Sequence, residues 1–292
     1  MSGDDELPLA PGPAWLGPKA SENDADEAPA VPGRGLALRA LVPNAITAAA
    51  LCSGLTGIRF AIVGDWEKSL FCIILAGVLD GIDGRIARLL KAQSRFGAEL
   101  DSLADSLSFG MAPALVLFLW SLQEWPRFGW FAALAFAICC ALRLARFNAR
   151  IDVEHQPHKS VGFLTGVPAP VGAGLAFLPM YLWIASGEPV FREPILVALW
   201  VTLIAGLMIS NLATLSWTLI RPRRSIRLMA IGLAGLVFAA LLTEPWWTLA
   251  AISIGYLATM PYSFVRYAKV RRERAAPPHE DGPGERAEAS AP

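Results

Sequence analysis

Four aspartates fall within one stretch of 26 residues bordered by apolar runs. Asp80 and Asp83 lie in Leu79-Asp80-Gly81-Ile82-Asp83-Gly84-Arg85-Ile86-Ala87-Arg88. Asp101 and Asp105 lie in Gly97-Ala98-Glu99-Leu100-Asp101-Ser102-Leu103-Ala104-Asp105. Spacings of three and four residues project each pair from one face of a helix. Two helices joined by a short loop run antiparallel and would bring all four carboxylates together. An ionisable group at the centre of a bilayer costs roughly 2.5–3.5 kcal/mol on insertion scales, so this cluster needs compensating charge. Arginines could supply it as structural ion pairs. Divalent metal is the other candidate, because oxygen-only ligand sets suit Mg²⁺ or Mn²⁺, ions that normally share carboxylates with substrate phosphates. On that reading the predicted substrate contains phosphate.

Gly84 stands four residues after Asp80, and Ala87 four after Asp83, so small residues flank the acids on the same face and leave space for a ligand. Gly77 and Gly81 could instead let helices approach closely, the usual role of small residues in membranes. Arg88 continues the stripe by a further turn, where its fork of donors could hold a phosphate. Arg85 lies off the stripe and is read as a membrane-edge cation.

The elements that must position these groups are membrane helices. Hydrophobic residues make up 54% of the 292-residue chain and charged residues 17%, with the apolar residues gathered in long runs. Crossing the hydrocarbon takes about 20 apolar residues in a helix. That ruler predicts about eight spans, near 43–64, 69–91, 101–122, 128–149, 162–186, 194–219, 227–243 and 246–265. The formal net charge of zero hides an alternation of basic connections. Arg34 and Arg39, Lys91 and Arg95, Arg150 and Lys159, Arg221 to Arg227, and Arg266 to Arg274 fall at alternate ends. Lys68, Arg127 and Arg192 are nearly all that the other connections carry. The positive-inside rule then places both termini and the basic loops, including the one between the acid-bearing helices, in the cytoplasm.

The first 40 residues lack a basic segment followed by an apolar stretch and cleavage site, so no secretory signal is expected. They, and residues 269–292, are too polar to bury a core and are read as disordered cytoplasmic extensions. Cys52, Cys72, Cys139 and Cys140 fall within spans as packing residues, and His155, His158 and His279 in polar segments, without metal-site spacing.

Asp80, Asp83-Gly84, Ala87-Arg88, then Gly97, Asp101 and Asp105 match without departure the signature of the CDP-alcohol phosphotransferase family, which the chain resembles. Outside the signature, the resemblance extends to its phosphatidylserine synthase branch. It is carried by Pro43-Asn44-Ala45-Ile46-Thr47, Phe96-Gly97 through Phe109-Gly110, Arg143-Leu144-Ala145-Arg146-Phe147-Asn148, Gly166-Val167-Pro168-Ala169-Pro170 and Ser210-Asn211. Ala50 departs from it, standing where the branch is expected to carry Asn.

The resemblance implies an all-α polytopic membrane bundle, with a catalytic core of six helices at 41–220 and an additional helical pair at 221–268. It implies two divalent cations, Mg²⁺ or Mn²⁺, on Asp80, Asp83, Asp101 and Asp105, with Asp105 as general base. CDP-diacylglycerol is the implied donor, contacted by Asp80, Gly84, Ala87, Arg88, Ser94 and Gly97, with CMP as product. L-serine is the implied acceptor, and Arg143, Arg146 and Asn148 are its candidate contacts. A homodimer in the cytoplasmic membrane is expected, and no nucleic-acid partner. Glycerol 3-phosphate or an inositol phosphate are the alternative acceptors. A cation transporter is the alternative outside enzymology, because intramembrane acids also bind permeating ions.

Overall fold

The computed structural model describes residues 38–151, 163–210, 213–215 and 224–275. The expected extensions lie outside these residues, except for 38–40 and 269–275, which are helical. The first two helices, α1 (Leu38–Ile62) and α2 (Trp66–Leu89), form an antiparallel pair packed along their length. Asp65 starts α2 by accepting the Lys68 backbone N–H at 3.2 Å, and its carboxylate pairs with the Lys68 ammonium at 2.6 Å. That hydrogen bond holds the exposed Asp65 carboxyl below the usual carboxylate range.

At its other end α2 closes in a Schellman turn: Ala92 N–H donates to the Ala87 carbonyl at 2.9 Å and Lys91 N–H to Arg88 at 3.2 Å. Lys91 takes the left-handed conformation there, with φ +51°, at a position glycine normally fills. Ser94 then caps α3 (Arg95–Asp105), its hydroxyl oxygen accepting from Gly97 N–H at 3.0 Å. A π-helical segment, Ser106–Met111, joins α3 to α4 (Ala112–Trp120), so that Arg95–Trp120 is one apolar run of 26 residues.

Next come α5 (Pro126–Ile151), the broken pair α6 (Ala169–Ala176) and α7 (Leu178–Ser186), then α8 (Pro194–Ile209), α9 (Arg224–Thr243) and α10 (Pro245–Ala275). Each expected span overlaps a helix among the described residues, with two corrections to the ends. The fifth begins at Ala169 rather than 162, and the sixth ends at Ile209 rather than 219. The cause is a short antiparallel pair, β1 (Phe163–Thr165) with β2 (Ala213–Leu215), the regular non-helical element among the described residues.

Gly166 makes the turn out of β1 at φ +78°, where a Cβ would lie 2.6 Å from the Met208 carbonyl oxygen and 3.1 Å from that of Ser210. Glycine suits this passage, because a side chain would be strained in that backbone conformation and would crowd two backbone oxygens.

Arg39–Ile62, Arg95–Trp120, Pro126–Ala149 and Ala169–Ser186 are long and apolar enough to cross a bilayer, and two shorter apolar helices accompany them. The protein is thus a multi-pass membrane helical bundle. Large apolar side chains left exposed, such as Leu228, Ile231, Phe238 and Leu242 of α9, are surface for lipid. Arg59 lies in the last turn of α1, exposed, rather than mid-span. There a cation meets the negative end of the helix dipole and reaches the interface.

The core gathers where α4, α5, α6, α7 and α8 meet, around fully buried Trp120, Phe136, Phe177, Tyr181, Ile204 and Met208. Trp120 packs edge-on to Trp183 at 5.7 Å. Arg192 lies over Trp183 at 5.5 Å and donates to the Trp120 carbonyl at 2.9 Å, closing the end of α4. This aromatic end is opposite the acidic one.

Gly166→Ala is expected to cost about 1–3 kcal/mol through backbone strain. The check is the apparent melting temperature of the purified protein in detergent, which falls on this account; an unchanged value contradicts it.

Candidate active site

The acidic residues converge at the end of the bundle shared by the start of α1, the end of α2, α3 and the end of α5. Asp80, Asp101 and Asp105 each offer a carboxylate oxygen within 4.8 Å of the others, and all three are half-buried. Asp83 stands apart from this triad. It is the most buried of the four, 4% exposed, and its Oδ2 accepts the Thr47 hydroxyl at 2.7 Å. The sequence pattern places four carboxylates together, and the structure brings three into one cluster with the fourth beside it under a hydroxyl of α1.

No basic side chain comes within ion-pair distance of any of these four acids among the described residues. The structural ion-pair reading therefore has no support. Arg88 is exposed in the last turn of α2 and Arg85 is exposed as well. Three clustered carboxylates without a paired cation repel one another in a medium that screens poorly. Their oxygen-only donor set fits a divalent cation such as Mg²⁺ or Mn²⁺. Asp105 adds a second indication: its Oδ1 is buried with no hydrogen-bond partner. A buried acceptor left unsatisfied costs free energy and is usually explained by something that binds there.

The face beside the acids is open. Gly81 and Gly84 would meet nothing within 4 Å if given a Cβ, so neither serves helix packing, and both are exposed. A Cβ on Gly77 would lie 3.5 Å from the Phe109 ring, an ordinary contact. Close helix approach falls to glycines that the spacing argument does not single out. A Cβ on Gly54 of α1 would lie 2.7 Å from Ser108 Oγ and 3.1 Å from its Cα, and one on Gly110 3.3 Å from Cys140. These contacts press α1 and α5 against the π-helical segment that follows Asp105, an irregularity that often marks functional sites.

Gly97, in the first turn of α3, sits against Asn44, whose Oδ1 would lie 2.9 Å from an added Cβ. Asn44 and Thr47 share a face of α1, and that helix therefore touches both acid-bearing helices. Sequence reasoning notes both within one motif without giving either a role.

Arg143 of α5 lies within electrostatic range of Asp105, Cys140, Tyr256 and Arg146, without pairing with any of the four acids. Its Nε is buried without a hydrogen-bond partner. Arg146 donates to the Ser210 carbonyl at 3.4 Å, tying α5 to the end of α8. Asn148 donates to Ser102 Oγ at 2.8 Å, tying α5 to α3 one residue after Asp101. Ala87 is half-buried on the α2 face, and Ser94 is engaged as the α3 cap. Asn211, the partner of Ser210 in the sequence motif, lies outside the described residues.

Comparison with known proteins decides the lineage: residues 40–216 match the model of the family described as CDP-alcohol phosphatidyltransferase, which is more than half of the chain. The chain belongs to the CDP-alcohol phosphatidyltransferase family. A second model, CDP-alcohol phosphatidyltransferase 2, matches residues 225–261, over α9 and the first half of α10. Three curated relatives carry the name CDP-diacylglycerol–serine O-phosphatidyltransferase. That of Mycobacterium tuberculosis H37Rv is 37% identical over 235 residues, covering 79% of this chain and 80% of its own. That of Helicobacter pylori 26695 is 30% identical over 184 residues, 61% of this chain and 76% of its own. The relative from Bacillus subtilis is 32% identical over 171 residues, 59% and 88%. This member of the CDP-alcohol phosphatidyltransferase family thus has its family match across α1 to β2, the part of the chain that holds the acids.

Repulsion within the cluster gives a measurable trade-off. Asp101→Asn should raise the apparent melting temperature in chelator, by about 2–4 °C for each kcal/mol of repulsion relieved, while abolishing stabilisation by Mn²⁺. A variant that is destabilised in chelator and still stabilised by Mn²⁺ contradicts a shared metal site.

Proposed function

We propose that the protein transfers the phosphatidyl group of CDP-diacylglycerol to the hydroxyl of L-serine, giving phosphatidylserine and CMP. The observation that carries the proposal is the unpaired acidic cluster beside the open Gly84 face, in a chain whose relatives bear that activity name. Asp80, Asp83, Asp101 and Asp105 would hold two divalent cations, Mg²⁺ or Mn²⁺. Bound there, the cations neutralise phosphate charge and stabilise the leaving group.

The remaining work belongs to the chain. Asp105 accepts the serine hydroxyl proton at Oδ1, the atom left without a hydrogen-bond partner, while its other oxygen would serve as the metal ligand. That division lets one carboxylate serve both as ligand and as base. The serine oxygen forms its bond to the phosphorus that carries diacylglycerol, and the bond from that phosphorus to CMP breaks, the electron pair leaving with CMP. Gly84 and Ala87 leave room for the donor along α2, with Asp80, Arg88, Ser94 and Gly97 around its pyrophosphate and cytidine. From α5, Arg143, an electrostatic neighbour of Asp105, holds the serine carboxylate through a guanidinium that no acid pairs with among the described residues. Arg146 and Asn148 complete that wall and brace it against α8 and α3.

The proposal includes eight spans, with 41–220 as a six-helix catalytic core and 221–268 as an added pair. Both termini and the site face the cytoplasm, where the polar donor head and serine arrive while the acyl chains stay in lipid. A homodimer in the cytoplasmic membrane, as the family resemblance implies, completes it. Two variants test the assignments. Asp105→Asn should lower turnover by about 10²–10⁴-fold while keeping its elution volume in detergent; normal turnover removes Asp105 as the base. Arg143→Ala should raise the KM for serine by about tenfold or more with that for CDP-diacylglycerol little changed. An equal rise in both contradicts an acceptor role.

A further inference from the structure

Each site acid is reached by different neighbours, and the Asp83 environment is the least expected. Its carboxylate is 4% exposed and carries no ion pair among the described residues. Its hydrogen-bond donor from another helix is the Thr47 hydroxyl, itself 5% exposed. A threonine hydroxyl has one proton. Thr47 Oγ1 lies 2.7 Å from Asp83 Oδ2 and 3.1 Å from the Pro43 carbonyl, four residues back in its own helix. Back-bonding to that carbonyl is the habit of buried threonines in helices. The shorter contact and the anionic acceptor give the proton to Asp83.

The choice of a neutral donor matters. A guanidinium at this position would cancel the charge of Asp83 and compete with any cation. A hydroxyl satisfies Oδ2 and adds no charge, so Oδ1 is the oxygen through which Asp83 would meet a cation. Partners of this kind orient metal ligands and hold them in one rotamer. The rest of α1 fixes the register that makes the contact possible. Its buried face is Pro43, Thr47, Ala50, Gly54, Gly57 and Ala61, so Thr47 is the hydroxyl on a face of small apolar residues. Two turns further on, Gly54 lies too close to Ser108 for any side chain, which pins α1 against the segment after Asp105.

We propose that Thr47 is a positioning residue for the metal centre, holding Asp83 by one oxygen so that the other is presented to a divalent cation. This rests on the reading of the four aspartates as metal ligands. It makes α1, which bears no site acid, part of the metal site.

The test is Mn²⁺ binding to the purified full-length protein in detergent, without lipid donor, followed by the paramagnetic resonance of free Mn²⁺. Thr47→Val removes the hydroxyl and keeps the shape, Thr47→Ala removes it with less bulk, and Thr47→Ser keeps it. Both hydroxyl-free variants should bind Mn²⁺ about tenfold more weakly, and Thr47→Ser within about twofold of the parent protein. Adding Thr47→Val to Asp83→Asn should weaken binding no further than Asp83→Asn alone. Parent-like affinity in either hydroxyl-free variant that folds, or a tenfold loss in a folded Thr47→Ser, overturns the proposal and leaves the metal site standing. Absence of Mn²⁺ binding by the parent protein overturns the metal reading and this role with it.

Discussion

Carboxylates crowded at the end of a membrane bundle repel one another, and the rest of this structure is arranged around that repulsion. Asp80, Asp101 and Asp105 approach within 4.8 Å with no basic partner in ion-pair range among the described residues. In a low-dielectric setting this geometry is unfavourable without counter-charge, and its oxygen-only donor set fits a cation. The helices that bear the acids cannot relax apart. A Schellman turn and a serine cap fix the connection between α2 and α3, and α1 bridges both through Thr47 and Asn44.

The two ends of the molecule divide the labour. At the end remote from the acids, Trp120, Trp183 and Arg192 form a closed set of aromatic and cation contacts, continuous with the buried core of α4 to α8. This packing supplies a rigid base. At the acidic end, Gly81 and Gly84 face open space and Arg88 is exposed, so the surface is left for a ligand. A substrate with a charged head and lipid tails suits that division. On the proposed reading its head would meet the acids and arginines at the rim, and its tails would lie along exposed apolar helix faces.

Much of this is legible in the sequence because periodicity and desolvation are strong constraints. Charged residues inside long apolar runs stand out, and spacings of three and four fix the face they share. The eight helical runs, the short turn between α2 and α3, and the meeting of Asp80 with Asp101 and Asp105 follow from those facts alone. What is not legible depends on contacts between distant segments. Nothing in the spacing of Asp83 says that a hydroxyl from α1 will claim one of its oxygens. Gly54 and Gly110 read as ordinary small residues until the π-helical segment is seen pressing against them. The fifth span begins later than hydropathy suggests because Phe163–Thr165 pairs with Ala213–Leu215, a long-range contact that an apolar window cannot distinguish from helix. Arg59 is explained only once the end of α1 is known.

The central claim is that this acidic cluster runs phosphatidyl transfer with serine as acceptor. It is tested most directly by purified protein in detergent given CDP-diacylglycerol and Mn²⁺ or Mg²⁺, with serine, glycerol 3-phosphate and inositol phosphate offered separately, following CMP and lipid product. The account predicts CMP and phosphatidylserine with serine alone, and neither when metal is chelated. Product with another acceptor and none with serine would contradict the acceptor assignment, and no CMP under any condition would contradict the reaction itself.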